Sequence, residues 1–276
     1  MAAVPPFIVT SDRVAQAALD RALEENEDLV VLYQPIHHAR TGAIYGAEAL
    51  LRQRRQSGEL REASIIHETA EENRGAELFE LDHILVRKAY ADAARWQAFA
   101  PDVRVNVNLS PREFQDGRVL ERLTSLVDAY GIDTTRVNLE ITETAQIPAA
   151  TEPVLRALKE NLGVGIWLDD FGTGHSAVEH LLHFSVDGIK LPGTFVQPLP
   201  TNERCRAITR HLIALAHDLG LSVIAEEVER QDQLDFLLEQ NCEYIQGFLF
   251  SRPMMPEAFE QFLRDSRYRA GAPDRG

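Results

Sequence analysis

The sequence has few cysteines and no long run of apolar residues. Its 276 residues include two cysteines, Cys205 and Cys242, which are too few for a disulfide framework and lack the spacing of a metal site. Nowhere do 18 apolar residues follow one another, and the start, MAAVPPFIVT, lacks the charged and apolar segments of an export signal. These absences predict a cytoplasmic protein without membrane insertion, in which both cysteines are packing residues.

Positive charge is also scarce. The 28 lysines and arginines are outnumbered by 43 aspartates and glutamates, and the formal net charge is -15. Because binding of a nucleic-acid polymer depends on basic side chains that neutralise phosphates, this balance argues against such a partner. A small anionic ligand is compatible with the charge if metal ions supply a local positive site. The nine histidines show no spacing typical of a zinc site.

What the sequence does contain is a regular alternation of strand-like and helical segments. Hydrophobic residues make up 45% and charged residues 26%, as in a globular protein. Two strand-like runs, LVVLYQPIHH and AIYGAEALLR, precede six shorter β-rich runs: VRVNVNLS, RVNLEITE, VGIWLDD, VDGIKL, LSVIAEE and EYIQGFLF. Most of these runs are separated by enough residues for a helix. About eight strands in this order predict an α/β fold with a closed (βα)8 barrel of the TIM type rather than an open sheet.

The chain has three predicted parts. Residues 1–28 form a lead-in helix with Ser11 as its N-cap, residues 29–265 form the barrel, and residues 266–276 form a disordered tail. Two barrel helices, in EPVLRALKENLG and RCRAITRHLIALAHDLG, end at glycines suited to the C′ position. No internal repeat and no low-complexity linker divides the barrel.

Polar side chains collect near the late ends of the predicted strands. Because side chains alternate between the faces of a strand, Arg104, Asn106 and Asn108 share one face, and Asn138 shares a face with Glu140. Barrel enzymes carry their active sites at the carboxyl ends of the strands. The candidate residues at this position are Glu48, Asn108, Glu140, Asp169, Asp170, Lys190, Glu226 and Gln246.

Five of these candidates are carboxylates and only one is a lysine. Like charges in a dry site raise each other's pKa and cost stability, so the site requires further positive charge. Hard divalent cations with oxygen ligands, Mg²⁺ or Mn²⁺, supply that charge most simply. Asp169 and Asp170 are therefore predicted to be metal ligands. Asp170 has the opposite strand parity from Asp169, so capping of the FGTG turn is the alternative for Asp170.

These residues resemble the EAL-domain family of cyclic di-GMP phosphodiesterases. The resemblance is carried in order by YQPI, EALLR from Glu48, NLS at Asn108, EITE from Glu140, DDFGTG from Asp169, Lys190, VIAE ending at Glu226 and QGFLF from Gln246. It implies a (βα)8 barrel whose first strand is antiparallel to the others. It also implies hydrolysis of cyclic di-GMP to linear 5'-pGpG, two Mg²⁺ or Mn²⁺ ions in each active site, and a homodimer.

The resemblance also implies a role for each matched residue. Ligands of one metal are matched by Glu48, Asn108, Glu140 and Asp169, and ligands of a second metal by Asp169, Asp170 and Glu226. Lys190 matches the lysine that steadies the attacking water, and two roles stay open for Glu226, general base or ligand only. Substrate contacts are matched by Gln34, Leu51, Arg52 and Gln246. Glu143 matches the glutamate that stabilises the loop after DDFGTG.

Two departures from the family pattern keep an alternative open. Pro192 stands where family members commonly carry an aspartate two residues after the lysine, and Glu227 stands where a glycine usually follows the motif's glutamate. The alternative is a catalytically impaired receptor that binds cyclic di-GMP without hydrolysing it. A third hypothesis is a different barrel enzyme that uses a carboxylate-bound metal or a Schiff base at Lys190. That hypothesis leaves Asn108 and the paired aspartates unexplained.

Overall fold

A computed structural model describes the chain at residues 29–54, 57–62, 76–114, 118–142, 151–174 and 177–270. The lead-in predicted for residues 1–28 lies outside the described residues, as does Glu143. The chain divides into two compact units, Met1–Val30 with Leu51–Ile84 and Val31–Leu50 with Leu85–Gly276. The second unit contains all the predicted site residues except Leu51 and Arg52.

Strands and helices alternate along the described chain. The strands are β1 (Leu29–His38), β2 (Ile44–Arg54), β3 (Leu60–Glu62), β4 (Arg104–Asn108), β5 (Val137–Thr142), β6 (Gly165–Asp169), β7 (Gly188–Leu191), β8 (Ser222–Ala225) and β9 (Tyr244–Gln246). Each of the eight strand-like runs predicted from sequence contains or closely matches one strand. Only β3 was not predicted, because its three residues are too few to show an alternating pattern.

Eight of these strands close into a barrel. The sheet order is β1-β9-β8-β7-β6-β5-β4-β2, and a pairing between β1 and β2 completes the ring. β1 is antiparallel to β9, whereas the pairs from β2–β4 round to β8–β9 are parallel. The reversal follows from the turn between β1 and β2, where Gly42 adopts a positive φ of 68°. The predicted α/β barrel with an antiparallel first strand is therefore confirmed.

The first unit contains the last residues of β2, which pair with β3 in antiparallel register. Arg52 lies opposite Glu62, and Arg54 lies opposite Leu60. The Arg52 guanidinium donates a hydrogen bond to the Leu51 carbonyl at 2.9 Å. Leu51 and Arg52, two of the four residues that the family resemblance assigns to the substrate, thus lie in this unit.

The helices follow the strands in sequence. Their bounds are α1 (Ala76–Gln97), α2 (Val119–Tyr130), α3 (Glu152–Leu162), α4 (Ala177–His183), α5 (Gly193–Val196), α6 (Glu203–Asp218), α7 (Gln231–Glu239) and α8 (Pro256–Ala270). As predicted, glycines follow α3 and α6 in the left-handed conformation, Gly163 at φ 70° and Gly220 at φ 73°. None of the helices in the described ranges has the length and apolar character that crossing a bilayer requires.

The last helix extends into the segment predicted to be a disordered tail. α8 continues to Ala270, so residues 266–270 are helical, and residues 271–276 lie outside the described ranges. The physical reason is local: no glycine or proline interrupts the chain between Pro256 and Gly271, and the intervening residues tolerate a helix.

The barrel interior contains an apolar layer. Ile36, Trp167 and Ile224 are buried together, and the rings of Tyr45 and Tyr244 pack against them with centroids 4.0 Å apart. Gly188 accommodates the Trp167 ring, since a Cβ at Gly188 would lie 2.4 Å from an indole carbon. These side chains fill part of the barrel interior.

Candidate functional site

Lys190 is surrounded by four carboxylates at the carboxyl-terminal end of the barrel. Its side chain is fully buried, and Nζ lies 2.8 Å from Glu140 Oε2 and 2.8 Å from Glu226 Oε1. Asp169 Oδ1 is 3.2 Å away and Glu48 Oε2 is 3.3 Å away. These carboxylates come from β2, β5, the end of β6 and the residue after β8. They meet because the carboxyl ends of parallel strands open at the same mouth of the barrel.

Two side-chain amides hold Glu48 in a fixed orientation. Asn108 Nδ2 donates to Glu48 Oε1 at 2.8 Å, and Gln246 Nε2 donates to Glu48 Oε2 at 2.7 Å. Gln246 Nε2 also lies 3.2 Å from Gln34 Oε1. Gln246 Oε1 is buried, and no hydrogen-bond donor reaches it from the part of the chain that the structure describes. This oxygen is therefore an open acceptor beside Glu48.

The Asp170 side chain lies with the other carboxylates, although alternation along β6 predicts the opposite face for it. β6 ends at Asp169, and Asp170 has a positive φ of 55°, which turns its side chain away from the direction that alternation would give. One carboxylate oxygen from each of Asp169, Asp170 and Glu226 lies within 4.8 Å of the other two. The Asp170 carbonyl also accepts a hydrogen bond from the Thr173 hydroxyl at 2.8 Å. The backbone of Asp170 thus forms the turn, while its carboxylate contributes to a cluster of three.

Two buried asparagines that were not among the candidate residues form a series of hydrogen bonds that ends at Glu140. Asn106 Nδ2 donates to Glu140 Oε1 at 2.7 Å, and Asn138 Nδ2 donates to Asn106 Oδ1 at 2.9 Å. The available signal was strand parity, which places Asn106 with Asn108 and Asn138 with Glu140. Their positions earlier in each strand kept them out of the candidate set.

Burial and neighbouring charges change the protonation of the cluster. Burial raises the pKa of Glu226 to about 8, and the charges of Asp169 and Glu48 add to this effect while Lys190 opposes it. Burial likewise raises the pKa of Glu140 well above its usual value. For Glu48 the effect of burial is outweighed by Lys190 and by the amide hydrogen bonds, so its pKa is lowered. The surrounding carboxylates outweigh burial at Lys190 and raise its pKa.

The donor set fits a hard divalent cation. Glu48, Glu140, Asp169, Asp170 and Glu226 supply five negative charges when ionised, and Lys190 supplies one positive charge, which leaves four negative charges in excess. The raised pKa values of Glu140 and Glu226 favour their protonated forms, and protonation lessens this excess of negative charge. The clustered oxygens of Asp169, Asp170 and Glu226 are the ligand type that Mg²⁺ and Mn²⁺ prefer.

We expect the metal-free protein to lose stability as the pH rises from about 5 to about 8. An unfolded glutamate titrates near 4.3, whereas Glu226 titrates near 8 in the folded state, so the folded state binds more protons in this interval and the free energy of unfolding falls. Melting temperatures measured in EDTA across this range should therefore decrease. The melting temperature of Glu226→Gln should decrease less steeply with pH. An identical slope in this variant would contradict a raised pKa at Glu226.

The two departures from the family pattern lie next to each other. Pro192 directly precedes Gly193, the first residue of α5. The Glu227 carboxylate lies over Gly193, where an added Cβ would be 2.0 Å from Glu227 Oε2. Glu227 has a positive φ of 52°, an unfavourable conformation for a side chain of its size. In the described ranges, the clustered metal-ligand candidates are Asp169, Asp170 and Glu226. Glu227 is not a member of this cluster.

We expect Glu227→Gly to stabilise the protein by about 1 kcal/mol, because glycine adopts a positive φ without the steric cost that a side chain incurs. Urea unfolding measures this difference. Asn241→Gly is the matched control, since Asn241 also has a positive φ, of 59°, but asparagine tolerates that conformation. The gain in the control should be smaller. Equal stability of Glu227→Gly and the unmodified protein would show that the backbone is unstrained there.

The remaining predicted site residues keep their sequence-based roles as predictions. Leu51 and Arg52 lie in the first compact unit. Gln34 lies beside Gln246 in the barrel, and its Nε2 is 3.5 Å from the Ser251 carbonyl. Glu143 is outside the described ranges.

Comparison with known proteins gives a consistent family match. Residues 16–253 match the EAL domain. The cyclic di-GMP phosphodiesterase PA2567 of Pseudomonas aeruginosa is 35% identical over 250 residues, which are 90% of this chain and 42% of that protein. The cyclic di-GMP phosphodiesterase NbdA of the same organism is 33% identical over 267 residues, 96% of this chain and 34% of that protein. The chain therefore spans less than half the length of these curated relatives.

A solved structure extends the match to three dimensions. The PaMucR phosphodiesterase in its c-di-GMP complex is 28% identical and superposes with a TM-score of 0.79. The match covers 88% of this chain and 99% of that one.

Proposed function

The chain belongs to the EAL domain family, and we propose that its barrel hydrolyses one phosphodiester bond of cyclic di-GMP to give linear 5'-pGpG. The observation that carries the proposal is the grouping of Asp169, Asp170 and Glu226 within 4.8 Å, beside Lys190. Buried carboxylates are costly to keep together unless cations bind among them. A barrel that served only to hold its ligand would not need this arrangement.

The proposed cofactor is a pair of Mg²⁺ or Mn²⁺ ions. Two divalent cations balance the four excess negative charges of the cluster. Asp169, Asp170 and Glu226 would hold one ion, and Glu48, Asn108 and Glu140 would hold the other together with Asp169. When bound, such ions lower the pKa of a water molecule and neutralise the oxygens of the phosphodiester.

The protein's own side chains would position the reactants. Lys190 stays protonated because its pKa is raised, so its ammonium can donate to the attacking water or to a phosphate oxygen. Gln246 Oε1, the open acceptor beside Glu48, suits an N–H group of a guanine base. Arg52 and Leu51 are proposed substrate contacts, with Arg52 at a phosphate. Glu143 is proposed to stabilise the loop after Asp170.

The test is incubation with cyclic di-GMP and Mg²⁺ or Mn²⁺ while the linear product is followed by chromatography. We expect product to form with the unmodified protein and with the control Glu239→Ala, which alters an exposed residue of α7. Glu48→Ala should lose hydrolysis, because it removes a carboxylate from the cluster. Full activity of Glu48→Ala would remove Glu48 from the metal site.

The second candidate function is a receptor for cyclic di-GMP. Pro192 and Glu227 favour it, since both alter the segment beside Lys190 and Glu226. Binding of cyclic di-GMP without product, even in excess Mn²⁺, would establish the receptor and exclude the hydrolase. The proposed compartment for either function is the cytoplasm, because Cys205 and Cys242 are both free thiols.

We also propose a homodimer, which the family resemblance implies. The structural support is an apolar pair on α4, the helix that follows the Asp169–Asp170 turn. Val178 is 58% exposed and Leu182 is 78% exposed, and their spacing of four residues places them on one face. Exposed apolar side chains grouped in this way are typical of protein–protein contacts.

We expect Leu182→Asp to convert the dimer to a monomer, because a buried unpaired charge at an interface is strongly unfavourable. Light scattering coupled to size-exclusion chromatography measures the mass. Leu219→Asp is the matched control, since Leu219 is 51% exposed but follows α6 and should leave the dimer intact. A monomeric unmodified protein, or a Leu182→Asp dimer, would contradict this interface.

A further inference from the structure

A cavity of about 360 Å³ lies at the opposite, amino-terminal mouth of the barrel. Its position is given by the residues that line it, because Arg104, Gly165, Ser222 and Tyr244 are the first residues of β4, β6, β8 and β9. The volume is at the lower end of the range for small-molecule sites. The carboxylate cluster, by contrast, lies at the carboxyl-terminal end of the barrel.

The cavity carries an excess of one positive charge. Of its lining residues, Lys159 and Asp187 form an ion pair at 2.8 Å, so their charges balance. Arg104 remains as the uncompensated charge among the lining residues. One of its terminal nitrogens donates to the Thr135 carbonyl at 2.8 Å, and its guanidinium lies 5.5 Å above the centre of the Tyr45 ring. These two contacts orient the guanidinium at the edge of the cavity.

The buried asparagines determine which way the Tyr45 hydroxyl is directed. Glu140 accepts hydrogen bonds from Lys190 at Oε2 and from Asn106 at Oε1. Asn106 therefore presents its oxygen to Asn138, and Asn138 Nδ2 in turn donates both to that oxygen and to the Tyr45 hydroxyl oxygen at 3.2 Å.

Because the Tyr45 oxygen accepts from Asn138, its own proton is available to another acceptor. Burial raises the pKa of Tyr45, so the hydroxyl keeps this proton at neutral pH. Tyr45 lines the cavity, as do Trp167 and Tyr244, and most of the cavity surface is polar. The cavity thus combines a guanidinium and a hydroxyl donor in a mainly polar lining.

We propose that this cavity binds a small organic anion, a carboxylate or a phosphate monoester, through the Arg104 guanidinium and the Tyr45 hydroxyl. An anion suits the site because both groups are donors and the net charge of the lining is positive. The site is separate from the proposed hydrolytic centre, so it does not depend on whether the barrel hydrolyses cyclic di-GMP.

Calorimetric titration with phenyl phosphate and with benzoate tests the proposal. The full chain is kept in EDTA at constant ionic strength, so that the metal-free carboxylate cluster repels both probes. We expect saturable binding of at least one probe by the unmodified protein and by Glu48→Gln. Preference for phenyl phosphate identifies a phosphate site, and preference for benzoate identifies a carboxylate site.

The variants distinguish binding of the anion in this cavity from binding elsewhere on the protein surface. Arg104→Gln should weaken binding by at least roughly tenfold, and Tyr45→Phe by about threefold or more, because each removes one donor to the anion. Arg156→Gln, which removes the same charge from the exposed surface of α3, should bind like the unmodified protein. Tyr45→Phe keeps the ring in the apolar layer and provides the test if Arg104→Gln does not fold. Unchanged affinity in Arg104→Gln and Tyr45→Phe, or no saturable binding of either probe up to about 10 mM, would overturn the proposal.

Discussion

Lys190→Met is expected to abolish hydrolysis, with kcat reduced by roughly a thousandfold. Methionine has a similar length and is apolar, so it fills the buried volume but removes the ammonium that lies within 3.3 Å of four carboxylates. Under the proposed function that ammonium donates to the attacking water or to a phosphate oxygen. The rate loss is measured in single turnovers with excess Mn²⁺.

The same substitution is expected to lower stability in EDTA by about 3–5 kcal/mol, because removal of one partner from a buried ion pair leaves uncompensated charge. Mn²⁺ should restore most of this loss, since the ions replace the missing positive charge. Lys88→Met, in α1, is the control and should retain activity. A folded Lys190→Met protein with activity within about tenfold of the unmodified protein would limit Lys190 to a structural role.

Asp170→Asn is expected to reduce hydrolysis by roughly a hundredfold to a thousandfold without loss of stability. Asparagine has nearly the same shape and tolerates the positive φ of 55° at this position. The turn is also retained, because the Thr173 hydroxyl binds the backbone carbonyl of Asp170 and not its side chain. The substitution therefore removes one negative charge from the cluster.

This design separates the two roles considered for Asp170. If the carboxylate is a metal ligand, Mn²⁺ affinity should fall with activity, and the melting temperature in EDTA should stay constant or rise because a repulsive charge is gone. Asp235→Asn, at an exposed position of α7, is the control and should change neither quantity. Normal hydrolysis and metal affinity in Asp170→Asn would show that Asp170 serves only the turn.

The sequence alone was sufficient to predict the strands of the barrel and most residues of the candidate site. Alternating polarity is a local property, so runs such as VRVNVNLS predicted both the strand and the side chains, Asn106 and Asn108, that face inward. The glycines after α3 and α6 were predicted for the same reason, because a left-handed C′ position depends on one residue. Convergence at the carboxyl ends of the strands followed from the general geometry of parallel barrels.

Only the tertiary structure decided which of these groups touch. Asp170 reaches the cluster through a backbone turn that strand parity does not describe, and Glu227 meets Gly193 across neighbouring segments. The series of hydrogen bonds from Glu140 to Tyr45 joins residues of three strands and ends at a cavity on the opposite mouth. Periodicity along one strand specifies a face but not the partner that faces it, and distances between strands are set only when the barrel closes.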